Sequence, residues 1–327
     1  MSVSTRSKLL DYAKRAELKI LGKHAITYCY NKPKTIQIET TALCNSHCIW
    51  CSRYLCENKK DMQLRHFANL LSQVGYAREI YPFGCGEPLL HPKFEKFITL
   101  ASSHSDFVGI STNGLLLGEI NTEKLNGSGL TELTVSIDSP NENEYERIRG
   151  ISLSTVQENS RYFSSHSHIP LRIHAVLSSI NIKSAIELPR MAKKLGAVRL
   201  TFNILHPTPK TTQYMPNPVE TLKALNTLDQ LCSDYGLTTN ARAILNQSYT
   251  ASCIDPLLTC FIDSEGYLTP CCNMPMHRLG NVFKEGFKSC WNSERTRRFR
   301  RSVLSGNLPK WCQTFCMKPR NLFAAHA

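Results

Sequence analysis

The sequence predicts an α/β protein in which six parallel strand–helix units form an open sheet, followed by a smaller Cys-rich α+β unit. Two observations point to the first part. Short β-branched runs recur along the chain, and amphipathic or charged segments lie between them, as in right-handed strand–helix–strand crossovers. Six units are also too few to close an eight-stranded barrel, so a partial barrel fits. The second part rests on cysteine: of 14 in 327 residues, seven fall between positions 253 and 316. A run of that kind is usually held together by metal.

In chain order, residues 1–34 form a basic N-terminal extension with a helical pattern. Strands follow at 35–41 (TIQIETT), 78–83, 107–112, 132–138, 171–178 and 198–205, with helical segments such as 91–104 and 184–196 between them. Together they make a partial (β/α)6 TIM-like barrel over residues 35–215. The Pro-rich stretch 206–218 reads as a boundary, and residues 216–327 form the Cys-rich unit. No internal repeat appears apart from the strand–helix alternation.

Composition narrows the functional classes. No stretch reaches the roughly 18 consecutive apolar residues of a membrane-spanning helix, and the N-terminus lacks the apolar core of a secretory signal. A cytoplasmic protein without membrane partners is therefore expected. Thirty-nine Lys and Arg against 26 Asp and Glu give a net charge of +13, which favours an acidic or polyanionic partner. Reducing compartments do not sustain structural disulfides, so clustered cysteines there act as metal ligands or catalytic thiols.

The first cluster is Cys44-Asn-Ser-His-Cys48-Ile-Trp-Cys51, just past the first strand. Three thiolates in one loop supply a four-iron cluster with one ligand fewer than it needs, leaving one iron open. A structural zinc site wants four ligands, and Cys56 is its candidate fourth.

CxxxCxxC with an aromatic before the last Cys, after the first strand, resembles the radical S-adenosylmethionine superfamily. Further motifs follow in that family's order, each at a strand's C-terminal end. Gly84-Cys85-Gly86-Glu87-Pro88 resembles the GGEP segment, whose backbone in relatives binds the amino group of the methionine moiety. The resemblance assigns Gly86 and Glu87 there; Cys85 departs from the family glycine and receives no role. Ser111-Thr112-Asn113-Gly114 resembles the TNG segment near the ribose, which implicates Thr112 and Asn113. Ser136 and Arg149 match the residues that contact the cofactor carboxylate in similar enzymes, a pairing that Arg geometry favours.

The C-terminal cysteines resemble the auxiliary-cluster domain called SPASM, or its shorter twitch version. The shared features are an Asp-x-x-Gly turn (263–266) before Pro-Cys-Cys, a Gly-Asn step, a Trp-Asn-Ser helix start and a closing Cys pair. The resemblance implies one auxiliary [4Fe–4S] cluster on Cys253, Cys271, Cys312 and Cys316, with Cys260 or Cys272 as substitutes. A structural zinc site would use the same residues. Five Arg within 295–301 read as a solvated helix face or as a docking patch for an acidic partner.

These resemblances imply reductive cleavage of S-adenosylmethionine to a 5′-deoxyadenosyl radical and removal of hydrogen from a substrate. The expected reaction is a two-electron oxidation of a small polar or carbohydrate-like substrate, with a flavodoxin- or ferredoxin-like electron donor. The layout, a partial barrel plus one auxiliary cluster, resembles the aminocyclitol dehydrogenase type and equally members that act on saccharides or peptides, so modification of a ribosomal peptide is the alternative. A zinc-stabilised nucleic-acid-binding protein is the non-enzymatic alternative, although no nucleic-acid motif supports it.

Overall fold

The computed structural model describes residues 27–29, 31–56, 59–208, 210–246, 253, 255–272, 274 and 276–316. The expected N-terminal helix lies almost wholly outside these residues. All six predicted strands form: β1 (Thr35–Ile38), β2 (Ala77–Tyr81), β3 (Ser105–Thr112), β4 (Glu132–Ser136), β5 (Leu171–Leu177) and β6 (Arg199–Ile204). They pair in sequence order and in parallel. A partial (β/α)6 barrel results.

The connecting helices follow from local sequence. Helix α1 (Leu64–Val74) buries Phe67, Leu70, Leu71 and Val74, an i, i+3, i+4, i+7 stripe, and ends at Gly75 with φ +69°. Between β2 and β3, α2 (Phe94–Ser102) buries Phe94, Phe97, Ile98 and Ala101. After β4, α4 (Glu142–Arg149) is capped by Asn141, whose side chain accepts from Glu144 N at 3.1 Å, and stops at left-handed Gly150. The short α3 (Thr122–Asn126) precedes β4, and α5 (Leu153–His166) precedes β5.

Side chains alternate across the parallel strands. On β5, Leu171, Ile173, Ala175 and Leu177 are buried in the aliphatic core. The intervening residues carry polar groups: Arg172 reaches Glu132 at 3.3 Å and Thr201 at 2.9 Å, and His174 Nδ1 lies 3.0 Å from Thr201. Arg199 completes the group with Glu132 at 3.3 Å. Burial pushes the His174 imidazole down to about 4, so it is neutral at physiological pH.

The C-terminal unit is more regular than the sequence suggested, and it continues the sheet. Its strand β8 (Thr259–Ile262) pairs in parallel with the free edge of β1, setting Ile36 opposite Cys260 and Ile38 opposite Ile262. An unpaired β1 edge would leave its backbone groups open. The apolar run of β8 satisfies them. An antiparallel turn leads to β9 (Tyr267–Thr269) and then β10 (Gly280–Asn281). At the opposite edge a short β7 (Thr238–Thr239), which the sequence reading missed, extends the sheet beyond β6. The β8–β9 turn is the Asp-x-x-Gly segment. Asp263 Oδ1 accepts from Glu265 N and Tyr267 N, and Gly266 takes φ +85°.

The Arg-rich segment is the helix Glu294–Leu304, capped by Ser293. Arg300 is fully buried. Its Nε donates to Pro256 O at 2.9 Å and its Nη1 to Thr27 O at 3.0 Å, with the guanidinium 4.1 Å above the Trp291 ring. Asn292 reinforces this clamp by bonding both Cys29 N and Cys29 O. Arg297 and Arg301 pair with Glu294. The run is therefore partly an internal clamp. Among the described residues no helix is long and apolar enough to cross a membrane.

Two outcomes test this packing. Arg300→Met removes several charge-assisted bonds and leaves buried carbonyls unpaired, a loss of about 2 kcal/mol. By calorimetric scan the apparent Tm should fall by about 4–8 °C, and an unchanged Tm would refute the clamp. Burial raises the Asp263 carboxyl from 3.8 to about 6. The folded chain thus binds more protons than the unfolded chain between those values. Stability should fall as pH rises from about 4 to 6, by on the order of 3 kcal/mol at most, and level off above. Asp263→Asn, which can keep the turn bonds, should flatten that slope in pH-resolved melts.

Candidate cluster and cofactor site

The rim at the carboxyl ends of β1–β5 gathers the sequence-predicted residues of the first site. The loop after β1 carries Cys44, Cys48 and Cys51, all half-buried. Cys51 caps a short 3-10 helix (Ser52–Leu55), its sulfur accepting from Arg53 N at 3.4 Å. The end of α4 holds the loop: Ser46 Oγ and His47 N both donate to Arg149 O, at 2.7 and 3.0 Å, and Ile49 N donates to Ile148 O. Gly150 is required there, because its backbone is left-handed and a Cβ would come within 3.2 Å of His47 Cβ.

Arg149 reaches into the same loop. Its Nε bonds Asp138 Oδ2 at 2.6 Å and its Nη1 lies 3.9 Å from Cys48 Sγ. Burial opposes its charge, but Asp138 and the Cys48 sulfur more than offset this, holding its pKa above the usual guanidinium range. Asp138 is fully buried and its second oxygen accepts from Val176 N at 2.7 Å. Ser136 ends β4 opposite His174.

The glycine-rich loop after β2 passes close to the β1 loop. A Cβ on Gly86 would lie 2.2 Å from Thr41 O and 2.5 Å from Leu43 O, so only glycine fits. Glu87 N donates to Leu43 O at 2.7 Å. The Glu87 carboxylate is buried and accepts from Thr112 Oγ1 and Asn113 N at 2.7 Å and from Leu89 N at 3.1 Å. Burial pushes its pKa up to about 7 against those bonds. Asn113 Nδ2 then bonds Asn45 Oδ1 at 2.7 Å, tying the TNG segment to the cysteine loop. Glu87 thus spends its oxygens joining the second and third strand ends.

Sequence reasoning missed Glu39. It follows β1, is buried, and accepts from Cys85 N at 2.7 Å and Ser264 N at 3.3 Å. It therefore joins the glycine-rich loop to the turn of the C-terminal unit, and burial raises its pKa. A carboxylate in the β-branched run TIQIETT was the available signal. Cys56, the candidate fourth zinc ligand, is half-buried at the end of the 3-10 helix, its N donating to Arg53 O at 3.1 Å.

On the auxiliary side, Cys253, Cys271, Cys312 and Cys316 are all half-buried. Cys253 precedes the short helix Asp255–Leu258, Cys271 follows β9, and Cys312 lies on the helix Lys310–Phe315, with Cys316 at its end. Cys253 and Cys312 pack against the aliphatic core. Cys260 lies on β8, 3% exposed inside that core. Cys272 is half-buried beside Cys271.

The donor chemistry suits both iron–sulfur groups. Three sulfurs in one loop are the soft donors that an iron–sulfur cluster takes. The auxiliary set is four soft sulfur ligands. Among the described residues no three Cys, His, Asp or Glu side chains surround one point as ligands of a single metal ion.

The profile of the Radical SAM superfamily matches residues 38–170, and that of an iron–sulfur cluster-binding domain, SPASM, matches residues 253–317. The chain is 25% identical over 306 residues to the AdoMet-dependent heme synthase of Methanosarcina barkeri, covering 83% of this chain and 85% of that protein. It is 26% identical over 173 residues to the PqqA peptide cyclase of Gluconobacter oxydans, covering 51% of this chain and 48% of that protein. The fold is similar to Streptococcus suis SuiB bound to S-adenosylmethionine, with a TM-score of 0.66 at 17% identity over 98% of this chain and 78% of SuiB.

Gly86→Ala should abolish S-adenosylmethionine binding while leaving iron content unchanged. Equilibrium dialysis against the labelled cofactor checks this, and retained affinity would show that the loop does not form the cofactor bed.

Proposed function

Since the chain belongs to the radical S-adenosylmethionine superfamily and carries an iron–sulfur cluster-binding domain after it, we propose that it removes hydrogen from a small polar substrate in a net two-electron oxidation. Cys44, Cys48 and Cys51 would hold a [4Fe–4S] cluster, which would supply the electron for cleavage of S-adenosylmethionine to a hydrogen-abstracting 5′-deoxyadenosyl radical. Cys253, Cys271, Cys312 and Cys316 would hold an auxiliary cluster able to accept the electron left on the substrate. A flavodoxin- or ferredoxin-type protein delivers the first electron.

The chain's own residues do the positioning. The backbone at Gly86 receives the methionine ammonium, whose three donors suit carbonyl acceptors. Arg149, oriented by Asp138, offers its remaining donors to the methionine carboxylate. Thr112 and Asn113, fixed by Glu87, border the ribose, and Ser136 closes the far side. The observation that carries this reading is the rim itself, where Glu87, Asn113, Arg149 and Asp138 join the strand ends around the cysteine loop. A net charge of +13 suits a substrate that carries acidic groups.

A second reading takes the substrate from the heme synthase relative, whose match spans most of both chains: a precursor of heme, itself an acidic molecule that would suit the net charge of +13.

Anaerobically reconstituted, reduced protein should form 5′-deoxyadenosine from S-adenosylmethionine, and Cys48→Ala should form none. With deuterated candidates, label in 5′-deoxyadenosine identifies the substrate. Label from a polar small molecule supports the first reading, and label from a heme precursor supports the second. Label from a peptide would overturn both.

A further inference from the structure

Ser46 stands between Cys44 and Cys48 in the cluster loop and takes no part in the chemistry above. It is nevertheless buried, at 4% exposure, and its hydroxyl meets a ligand sulfur. Ser46 Oγ lies 3.2 Å from Cys48 Sγ and 2.7 Å from Arg149 O. We propose that Ser46 is a positioning residue that tunes the first cluster: its hydroxyl donates to the Cys48 sulfur once that sulfur is an iron ligand, and so raises the reduction potential. The inference rests on the reading of Cys48 as a cluster ligand.

Counting hydrogens argues for it. A serine hydroxyl has one proton to give and two lone pairs with which to accept. While Cys48 carries its thiol proton, the S–H can donate to Ser46 Oγ, and the Ser46 proton rests on Arg149 O. A cysteine that binds metal has lost that proton. The 3.2 Å contact is then a hydrogen bond only if Ser46 supplies the hydrogen; otherwise an oxygen lone pair faces a thiolate in a buried site, which is costly. Turning the O–H bond from the carbonyl to the sulfur moves no heavy atom. Nor does it strand Arg149 O, because His47 N donates to that oxygen at 3.0 Å.

Cys48 is also the cysteine on which side-chain donors converge. Arg149 Nη1 lies 3.9 Å from the same sulfur, and the bond from Arg149 Nε to Asp138 at 2.6 Å keeps the guanidinium from turning away. Cys51, by contrast, accepts from the backbone amide of Arg53 at 3.4 Å, a donor that does not depend on side-chain identity. An added electron makes a cluster and its ligand sulfurs more negative, so a donor held on one sulfur favours the reduced form. Hydrogen bonds to the sulfurs are among the factors that set cluster potentials. Ser46 thus reaches the iron through Cys48 without touching it.

The test is an EPR-monitored redox titration of the anaerobically reconstituted protein. It follows the signal that changes when S-adenosylmethionine is added, which separates this cluster from the auxiliary one. Ser46→Ala should keep its iron content and shift that midpoint to more negative potential, by about tenfold in the reduction equilibrium, or about 59 mV for one electron. Ser46→Thr, which keeps the hydroxyl, should recover most of the shift, and the auxiliary midpoint should stay in place throughout. As a second measurement, ENDOR in H2O and D2O should show an exchangeable hydrogen at the cluster that Ser46→Ala lacks. An unmoved midpoint in Ser46→Ala overturns the proposal, as does an equal shift of both clusters or an unchanged set of exchangeable hydrogens. Persistence of the S-adenosylmethionine-sensitive signal in Cys48→Ala would overturn the ligand assignment, and the proposal with it.

Discussion

A carboxylate taken out of water at the end of β1 holds the molecule's working parts in one frame. Glu39 is buried, which is costly for a charge, and its two oxygens accept from two distant backbone amides, Cys85 N and Ser264 N. One amide belongs to the glycine-rich loop after β2, the other to the turn that leads toward Cys271. The strand it follows is paired on both sides, with β2 in one direction and β8 in the other. The spacing between the first cysteine loop and the auxiliary cysteines is therefore set by a continuous hydrogen-bonded sheet.

Around that anchor the rim is wired from strand to strand. Glu87 joins the second strand end to the third, Asn113 joins the third to the cysteine loop, and Arg149 joins that loop to Asp138 after β4. Each link is a buried, charged or short bond, so the rim is shaped before any ligand arrives. Such preorganisation spares the ligand the cost of ordering loops on binding.

The local features were legible from the sequence. Short β-branched runs between helical segments marked all six strands to within a few residues, because strands buried in a parallel sheet are rich in such residues. Gly86, Thr112, Asn113 and Arg149 were singled out by their resemblance to short family segments, and all four lie in or beside the loops at the strands' carboxyl ends. Non-local features were not. That Thr259–Ile262 would lie beside Thr35–Ile38 depends on partners more than 220 positions apart. The cluster of Arg residues read as a surface face, since nothing in its spacing reveals that Arg300 points inward to Pro256 O and Thr27 O. Glu39 was passed over as an ordinary strand-end residue, because what it accepts from lies elsewhere in the chain.

The pairing of β1 with β8 also has a temporal meaning. Synthesis runs from the amino end, so β1 to β6 are available long before residues 259–262 emerge. Until then one edge of the nascent sheet carries unsatisfied backbone groups and the apolar side chains of Ile36 and Ile38. An open edge of that kind is a template for association with other chains. Contacts so distant in sequence also close slowly, because loop entropy must be spent before they form. The first strand laid down is among the last to be covered, and the vulnerable interval in this protein's life is the one before its C-terminal third arrives.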